Sequence, residues 1–138
     1  MSLNPNKYIR KSYVDTLSVA TGLPVYEEGL PKDLDPSPLQ YIILHSQSKQ
    51  PFANAKGCSE WTCNMVVDIY SVNEKGFYHS VKNDDIEDIV LNALDVLTVV
   101  GFTVNYTDLV NSTKLPVSTP TITIDRTVLN IEHWLNKA

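Results

Sequence analysis

Residues 57–71 have the sequence GCSEWTCNMVVDIYS, in which two cysteines stand five residues apart immediately before an apolar run. From Trp61 to Ile69, large apolar residues occupy every second position, Cys63 falls among them, and the positions between are mostly polar. Successive side chains of a β-strand point to opposite faces of the sheet. The stretch therefore predicts a strand with one buried face, and it places Cys63 in the core.

Two helices are predicted on either side of this strand. The first begins with Asn4 as a cap and Pro5 at the first helical position, and it ends at Gly22. Asp84 is a plausible cap for the second helix, which is expected to run to about Val100. The apolar positions that recur every three or four residues are Ile9, Tyr13, Leu17 and Ala20 in the first helix, and Ile86, Ile89, Val90, Ala93, Leu94 and Leu97 in the second.

Further strands are predicted at residues 23–26, 39–46, 102–109 and 121–136. The run LQYIILHS at 39–46 is almost continuously apolar, which is typical of a strand buried on both faces. In the last strand the apolar residues change face near Val128, which predicts a bulge or a bend there.

The intervening segments are predicted to be irregular: the proline-rich residues 27–38, a long polar loop at 47–60 and a loop at 110–120. Strands that follow one another without a helix between them are expected to pair antiparallel. The predicted fold is α+β: a single domain over residues 1–138, with a mainly antiparallel sheet and two helices packed on one face. Residues 1–4 are expected to be disordered or to belong to a leader.

The composition indicates a soluble globular protein. Apolar residues make up 43% of the chain and charged residues 20%, and the net charge is −5, which disfavours binding to nucleic acid or to anionic lipid. No apolar stretch is long enough for a secretory signal or a membrane span, so we expect a protein made in the cytoplasm.

No motif for catalysis or cofactor binding is present. The chain lacks nucleotide-binding glycine loops and a G-x-S-x-G motif, and it has only five glycines. We expect neither a catalytic set nor a cofactor. The weaker alternatives are a zinc site or disulfide that uses Cys58 and Cys63, a nucleophilic Cys58 with His45 or His79, and a cation site in the acidic run at 84–88. The pattern favours free thiols that act as small apolar residues.

The order of several short motifs resembles the tail-completion and tail-terminator proteins of long-tailed bacteriophages and prophages. The resemblance covers residues 5–100 and rests on PVY at 24–26, LPKD at 30–33, LQYIIL at 39–44 and VDIYS at 67–71. The C-terminal TVLNIEHWL matches no motif of that family, which leaves the role of the last strand open.

The resemblance implies a structural protein of the virion tail, a single tail-terminator-like domain. Such subunits form a ring, often of six copies, that stops the tail tube and docks to the head-side connector. The protein would assemble in the host cytoplasm, through loops and strand edges. The alternative is a small protein-binding domain of a host or of a tail-like secretion machine. The candidate interaction residues lie in the predicted polar loop: Gln50, Pro51, Phe52, Asn54 and Lys56.

Phe52 gives this interaction hypothesis a direct test. An exposed anchor contributes to assembly and little to folding, so Phe52→Ala is expected to weaken self-association and to change the free energy of unfolding by no more than about 1 kcal/mol. Sedimentation and urea unfolding of the variant measure the two quantities. A large loss of stability would instead place Phe52 in the core.

Overall fold

The computed structural model describes residues 4–29, 38–51, 60–74 and 80–138. The elements in chain order are α1 (Pro5–Thr21), β1 (Val25–Glu27), β2 (Gln40–Pro51), β3 (Glu60–Glu74), α2 (Ser80–Asp95), β4 (Phe102–Lys114), β5 (Val117–Ser118) and β6 (Ile122–Lys137). One sheet has the strand order β1-β2-β3-β6-β4, and the short β5 pairs with β6. Both helices pack against the sheet through one shared core, so the predicted α+β class with a mainly antiparallel sheet is confirmed.

The predicted alternation of β3 is confirmed, and it defines the two faces of the sheet. Cys63, Met65, Val67 and Ile69 are buried against the helices, so this side is called the helix face. The other side, which neither described helix covers, is called the open face. It carries the side chains that alternate with these, including Asp68.

β6 pairs with β3 without interruption, from Asn136 opposite Glu60 to Ile122 opposite Glu74. The predicted bulge near Val128 is therefore wrong. The irregularities lie in β4 instead, between Val104 and Tyr106 and again between Leu109 and Asn111.

A buried polar cluster explains why the apolar residues of β6 change face. Asn83 of α2 donates from Nδ2 to the Asp125 carbonyl at 3.0 Å and to Thr127 Oγ1 at 3.2 Å, and its Oδ1 accepts from Ser71 Oγ at 2.6 Å. Asn73 donates to the Asp125 carboxylate at 3.0 Å. The first half of β6 thus buries polar residues on the helix face, because these partners satisfy their hydrogen bonds.

The N-terminal helix agrees with its sequence signals. The Asn4 side chain accepts from the Asn6 amide at 3.1 Å, and Gly22 ends the helix in the left-handed region at φ 69°. Ile9, Tyr13 and Leu17 are buried as predicted. Ala20, which was assigned to the same face, is exposed, because it lies in the last turn.

The predicted limits of the second helix are wrong at both ends. The helix begins at Ser80, so Asp84 lies within it and pairs with Lys114 of β4 instead of capping it. It ends at Asp95, and the buried Leu97 belongs to the turn before β4. The apolar spacing continued past the helix because that turn packs on the same core. Neither described helix is long and apolar enough to cross a membrane.

Three predictions about the strands are also corrected. Residues 47–51 of the predicted loop belong to β2, and residues 110–114 belong to β4. These stretches are polar because both form exposed ends of strands. The pairing of β1 with β2 is parallel, since both strands approach from the same end of the sheet. Most of the predicted irregular segment at 27–38 (residues 30–37) lies outside the described residues. The same holds for residues 52–59 of the predicted loop at 47–60.

The buried half of β6 gives a matched test of the core. Leu129 is fully buried, and Leu39 is 68% exposed. Leu129→Ala is expected to lower the free energy of unfolding by about 2–5 kcal/mol, because it leaves a cavity between sheet and helices. Leu39→Ala is expected to change it by less than about 0.5 kcal/mol. Urea unfolding of both variants checks this assignment, and equal losses would contradict it.

Candidate interaction surface at one end of the sheet

Two tryptophans mark the end of the sheet at which β2 and β6 end and β3 and β4 begin. Trp61 lies opposite Pro51 of β2 on one side and Leu135 of β6 on the other. Trp134 of β6 lies opposite Tyr106 of β4. This region is called the tryptophan end.

The tryptophan end contains a cavity of about 180 Å³. Asn136 Oδ1 is buried and has no hydrogen-bond partner among the described residues. Indole walls beside a free acceptor suit an apolar or aromatic side chain that also carries a donor group. The residues that line the cavity are Glu60, Trp61, Asn105, Trp134, Leu135 and Asn136.

An aromatic pair borders this cavity on the open face. The ring centroids of Tyr106 and Trp134 are 4.6 Å apart, and the two residues are 42% and 37% exposed. The Trp134 indole donates from Nε1 to Glu132 Oε1 at 2.7 Å, which fixes the ring. A fixed and partly exposed aromatic pair is typical of a protein contact surface.

The predicted interaction residues fall partly at this end. Gln50 and Pro51 are the last residues of β2, opposite Thr62 and Trp61, so they are strand residues and not loop residues as predicted. Phe52, Asn54 and Lys56 lie outside the described residues, as do Cys58 and His79. A role in binding for the five candidate interaction residues, Gln50, Pro51, Phe52, Asn54 and Lys56, stays a prediction.

Lys49 connects the first helix to the tryptophan end. Its ammonium group lies 5.1 Å from the centre of the Trp61 ring and 2.6 Å from Asn4 Oδ1, the cap of α1. Such cation–π contacts add to the packing of the ring. The start of α1, the end of β2 and the indole of Trp61 therefore form one continuous surface.

His133, the neighbour of Trp134 in sequence, belongs to the core and not to the surface. It is fully buried, its Nε2 contacts the Tyr13 hydroxyl, and its Nδ1 lies 2.9 Å from Thr107 Oγ1. Burial lowers the pKa of His133 to about 4. The imidazole is therefore neutral at pH 7 and joins β6 to α1 and β4.

The described thiol is poorly suited to nucleophilic chemistry. Cys63 is buried and free, and burial raises its pKa to about 11, so it carries a proton at neutral pH. Among the described residues, no three cysteine, histidine or acidic side chains are grouped to hold a metal ion. His45 and His133 project from opposite faces of the sheet, so these two residues cannot share a site.

An ionic cluster on the open face was missed by sequence reasoning. Asp68 is fully buried, and its Oδ2 accepts from Arg126 Nη2 at 2.8 Å and from the Tyr70 hydroxyl at 3.2 Å. The His45 imidazole contacts the same carboxylate. The signal was a single acidic residue inside the apolar run VVDIY. The cluster joins β2, β3 and β6. The pKa of Tyr70 is raised to about 12, mainly by burial and next by the negative charge of Asp68.

Two residues of the acidic run at 84–88, the candidate cation site, contact β4. Asp84 pairs with Lys114, and Glu87 Oε1 accepts from Ser112 Oγ. These two carboxylates thus attach α2 to the last residues of β4.

Comparison with known proteins identifies a shared fold. No protein-family model and no curated protein matches the chain. Among the solved structures to which the chain is similar is one from the virion of a native gene transfer agent particle, with a TM-score of 0.64. The match covers 98% of this chain and 99% of that chain at 14% sequence identity. At this identity the likeness establishes the fold, and the fold extends over nearly the whole length of both chains.

The buried imidazole predicts a pH dependence of stability. The pKa of His133 is about 6.5 when the chain is unfolded and about 4 when it is folded, so only the unfolded state binds the proton between these values. Stability from this residue is present above pH 6.5 and is lost as the pH falls toward 4. By pH 5 the loss is about 2 kcal/mol.

Urea unfolding at pH 7.5 and pH 5.0 measures this loss. We expect the free energy of unfolding to fall further for the wild type than for His133→Gln, whose side chain cannot be protonated in this range. Equal falls in the two proteins would show that His133 is not buried as a neutral group.

Proposed function

We propose that the protein is a structural subunit of a phage or prophage virion, which forms a ring at the head-proximal end of the tail and completes the tail tube. In this role the protein catalyses no reaction and needs no cofactor. Its partners are further copies of itself, the tail-tube protein and the head-side connector. It is located in the host cytoplasm during assembly and in the tail of the finished virion.

The observation that carries the proposal is the near-complete match in fold to a chain from a phage-like particle. The match spans 98% of this chain and 99% of the other, so the two chains are built from the same elements over their whole length. Fold alone does not determine function, and several activities share common folds. The motifs at residues 24–44 and 67–71, which resemble tail-terminator proteins, supply the independent support.

The chemistry of the described side chains also supports a role in assembly. The protonated thiol of Cys63 and the neutral imidazole of His133 are both held in the core, where neither reaches a substrate. The exposed chemistry of the tryptophan end includes aromatic rings and amide groups, which are suited to contact between proteins.

One feature favours the alternative of a monomeric protein-binding domain. β4 is a strand of 13 residues at the edge of the sheet, and most of it is exposed. An exposed edge can accept an extended peptide as an additional strand. A domain with this function would belong to a host or to a tail-like secretion machine and would act without forming a ring.

Mass measurement across a range of concentrations distinguishes these two functions. A ring of six copies has six times the subunit mass of 15.5 kDa and forms in a concentration-dependent way. We expect such a species by sedimentation velocity and native mass spectrometry. A monomer at every concentration, in the presence and absence of tail tube, would contradict the ring.

Tube binding is tested with the tail-tube protein of the same genome. Tubes polymerised from that protein and incubated with gold-labelled subunits should carry label at one end only when viewed by electron microscopy. Heat-unfolded subunits with the same label serve as the control. Label spread along the tube, or none bound, would contradict a terminator function.

A further inference from the structure

The sheet has two unpaired edges within the described part of the chain. On one side β4 has no further strand beyond it. On the other side β1 covers β2 at residues 42–44, and residues 47–51 of β2 have no neighbour there among the described residues. Unpaired amide and carbonyl groups on such edges are available to another strand.

These two free edges lie at the same height in the sheet. Following the pairings across β3 and β6, Gln47 is level with Leu109 of β4, and Pro51 is level with Val104. Three antiparallel pairings separate β2 from β4, so the two strands run in opposite directions. A second copy placed beside β4 in the same orientation would therefore present its β2 as an antiparallel neighbour, with its helices on the same face.

The helix layer above the β2 edge carries basic side chains. Lys7, Arg10 and Lys11 of α1 border a cavity of about 350 Å³ beside β1. Arg10 pairs with Glu27 at 3.0 Å, but its Nη1 is buried without a hydrogen-bond partner among the described residues. Lys11 pairs with Asp15. This surface, the α1 edge, has three positive charges against two negative ones.

The helix layer above β4 carries acidic side chains. Asp84, Asp88 and Asp95 recur along one side of α2 and are exposed, and Glu87 lies beside them against β4. Lys114 pairs with Asp84 and is the one basic partner described there. This surface, the α2 edge, is opposite in sign to the α1 edge and lies on the opposite side of the molecule.

We infer that copies of this chain join head to tail, with residues 47–51 of one copy pairing as a strand with residues 104–109 of the next. The α1 edge of the first copy then faces the α2 edge of the second. The inference rests on the proposed ring, and it specifies which surfaces form it. A second copy is the partner because both halves of the contact, matched in height, direction and charge, are present on one chain. Such a contact joins two different surfaces, so it propagates and closes into a ring when the rotation allows.

The Gln50 and Pro51 side chains lie within this contact. Pro51 has no amide hydrogen, so it ends the pairing at the tryptophan end and leaves the cavity beside it open to the next copy. β4 is irregular within the pairing segment, at Asn105, and again just beyond it, at Val110. Residues 112–114 of β4 stay paired with β6 and are level with residues 42–44 of β2, which β1 covers, so the sheets of neighbouring copies diverge beyond Leu109.

A charge-swap experiment tests the inference. Lys7→Glu with Lys11→Glu makes both edges acidic, and Asp88→Lys with Asp95→Lys makes both edges basic. Each double variant alone is expected to raise the dissociation constant of self-association at least about tenfold at low salt. An equimolar mixture should restore assembly in alternating order, because each variant then meets an edge of opposite sign.

The matched control is Lys82→Glu with Lys137→Glu, which changes the net charge as much as the Lys7 and Lys11 variant but replaces none of the charged residues that define the two edges. It should assemble like the wild type. Circular dichroism and urea unfolding establish that each variant is folded. If the wild type forms a ring and the edge variants form it equally well, or if the mixture fails to restore it, the contact is wrong and the ring stands. If the wild type forms no oligomer, with or without tail tube, the proposed function fails as well.

Hydrogen exchange tests the strand pairing independently of charge. Amides in residues 47–51 and 104–109 should exchange at least about tenfold more slowly in the wild-type oligomer than in the Lys7 and Lys11 variant. Amides of β3, which is interior in both, provide the internal reference. Unchanged exchange at both edges, in a protein that assembles, would overturn the pairing.

Discussion

The uninterrupted antiparallel pairing of β3 with β6 determines where every other element of the fold can lie. A shift of one residue in this register would turn every side chain of one strand to the opposite face. It would bring His133 and Leu129 to the open face and move Arg126 away from Asp68. The apolar core, the buried imidazole and the ionic cluster all depend on the same register. Apolar alternation in β3 and polar partners on both faces of β6 together specify it.

The sheet has a different character at each end of this pairing. At one end, Asn83 and Asp125 belong to a buried polar cluster, in which donors and acceptors are matched. At the other end, Trp61 and Trp134 are among the residues that line a cavity with a free amide oxygen. A satisfied polar cluster favours one arrangement of the chain, because any displaced group would be left buried without a partner. The tryptophan end, whose cavity is not filled by the described residues, is the end that can make further contacts with a partner.

Sequence patterns predicted the elements that a single physical rule decides. Alternation identified β3, and Asn4, Pro5 and Gly22 marked the ends of α1, since capping depends on adjacent residues. Patterns failed where distant partners decide. Asp84 looked like a cap because its partner, Lys114, is 30 residues away, and Val128 suggested a bulge because Asn83 could not be placed opposite β6. The polar ends of β2 and β4 resemble loops in sequence because neither strand end is buried.

The candidate surface could be predicted only in part. Gln50 and Pro51 were singled out from a polar segment, and the structure places them beside Trp61, although on a strand. The sequence did not reveal that Trp61 and Trp134 lie at the same end of the sheet, because this depends on the register between β3 and β6. The opposite charges of the α1 and α2 edges were likewise hidden, since the net charge of −5 combines them.

The interior position of β6 has a consequence for synthesis on the ribosome. β6 is the last element of the described chain, yet it lies between β3 and β4, so β3 has no partner on that side until residues 122–137 have emerged. A nascent chain that ends before this point exposes the unpaired edge of β3, which is a site for chaperone binding or for aggregation. Pairing between segments so distant in sequence is slow to form. The native sheet can therefore form only after β6 has been translated, and a chain truncated before β6 is expected to aggregate instead of retaining partial function.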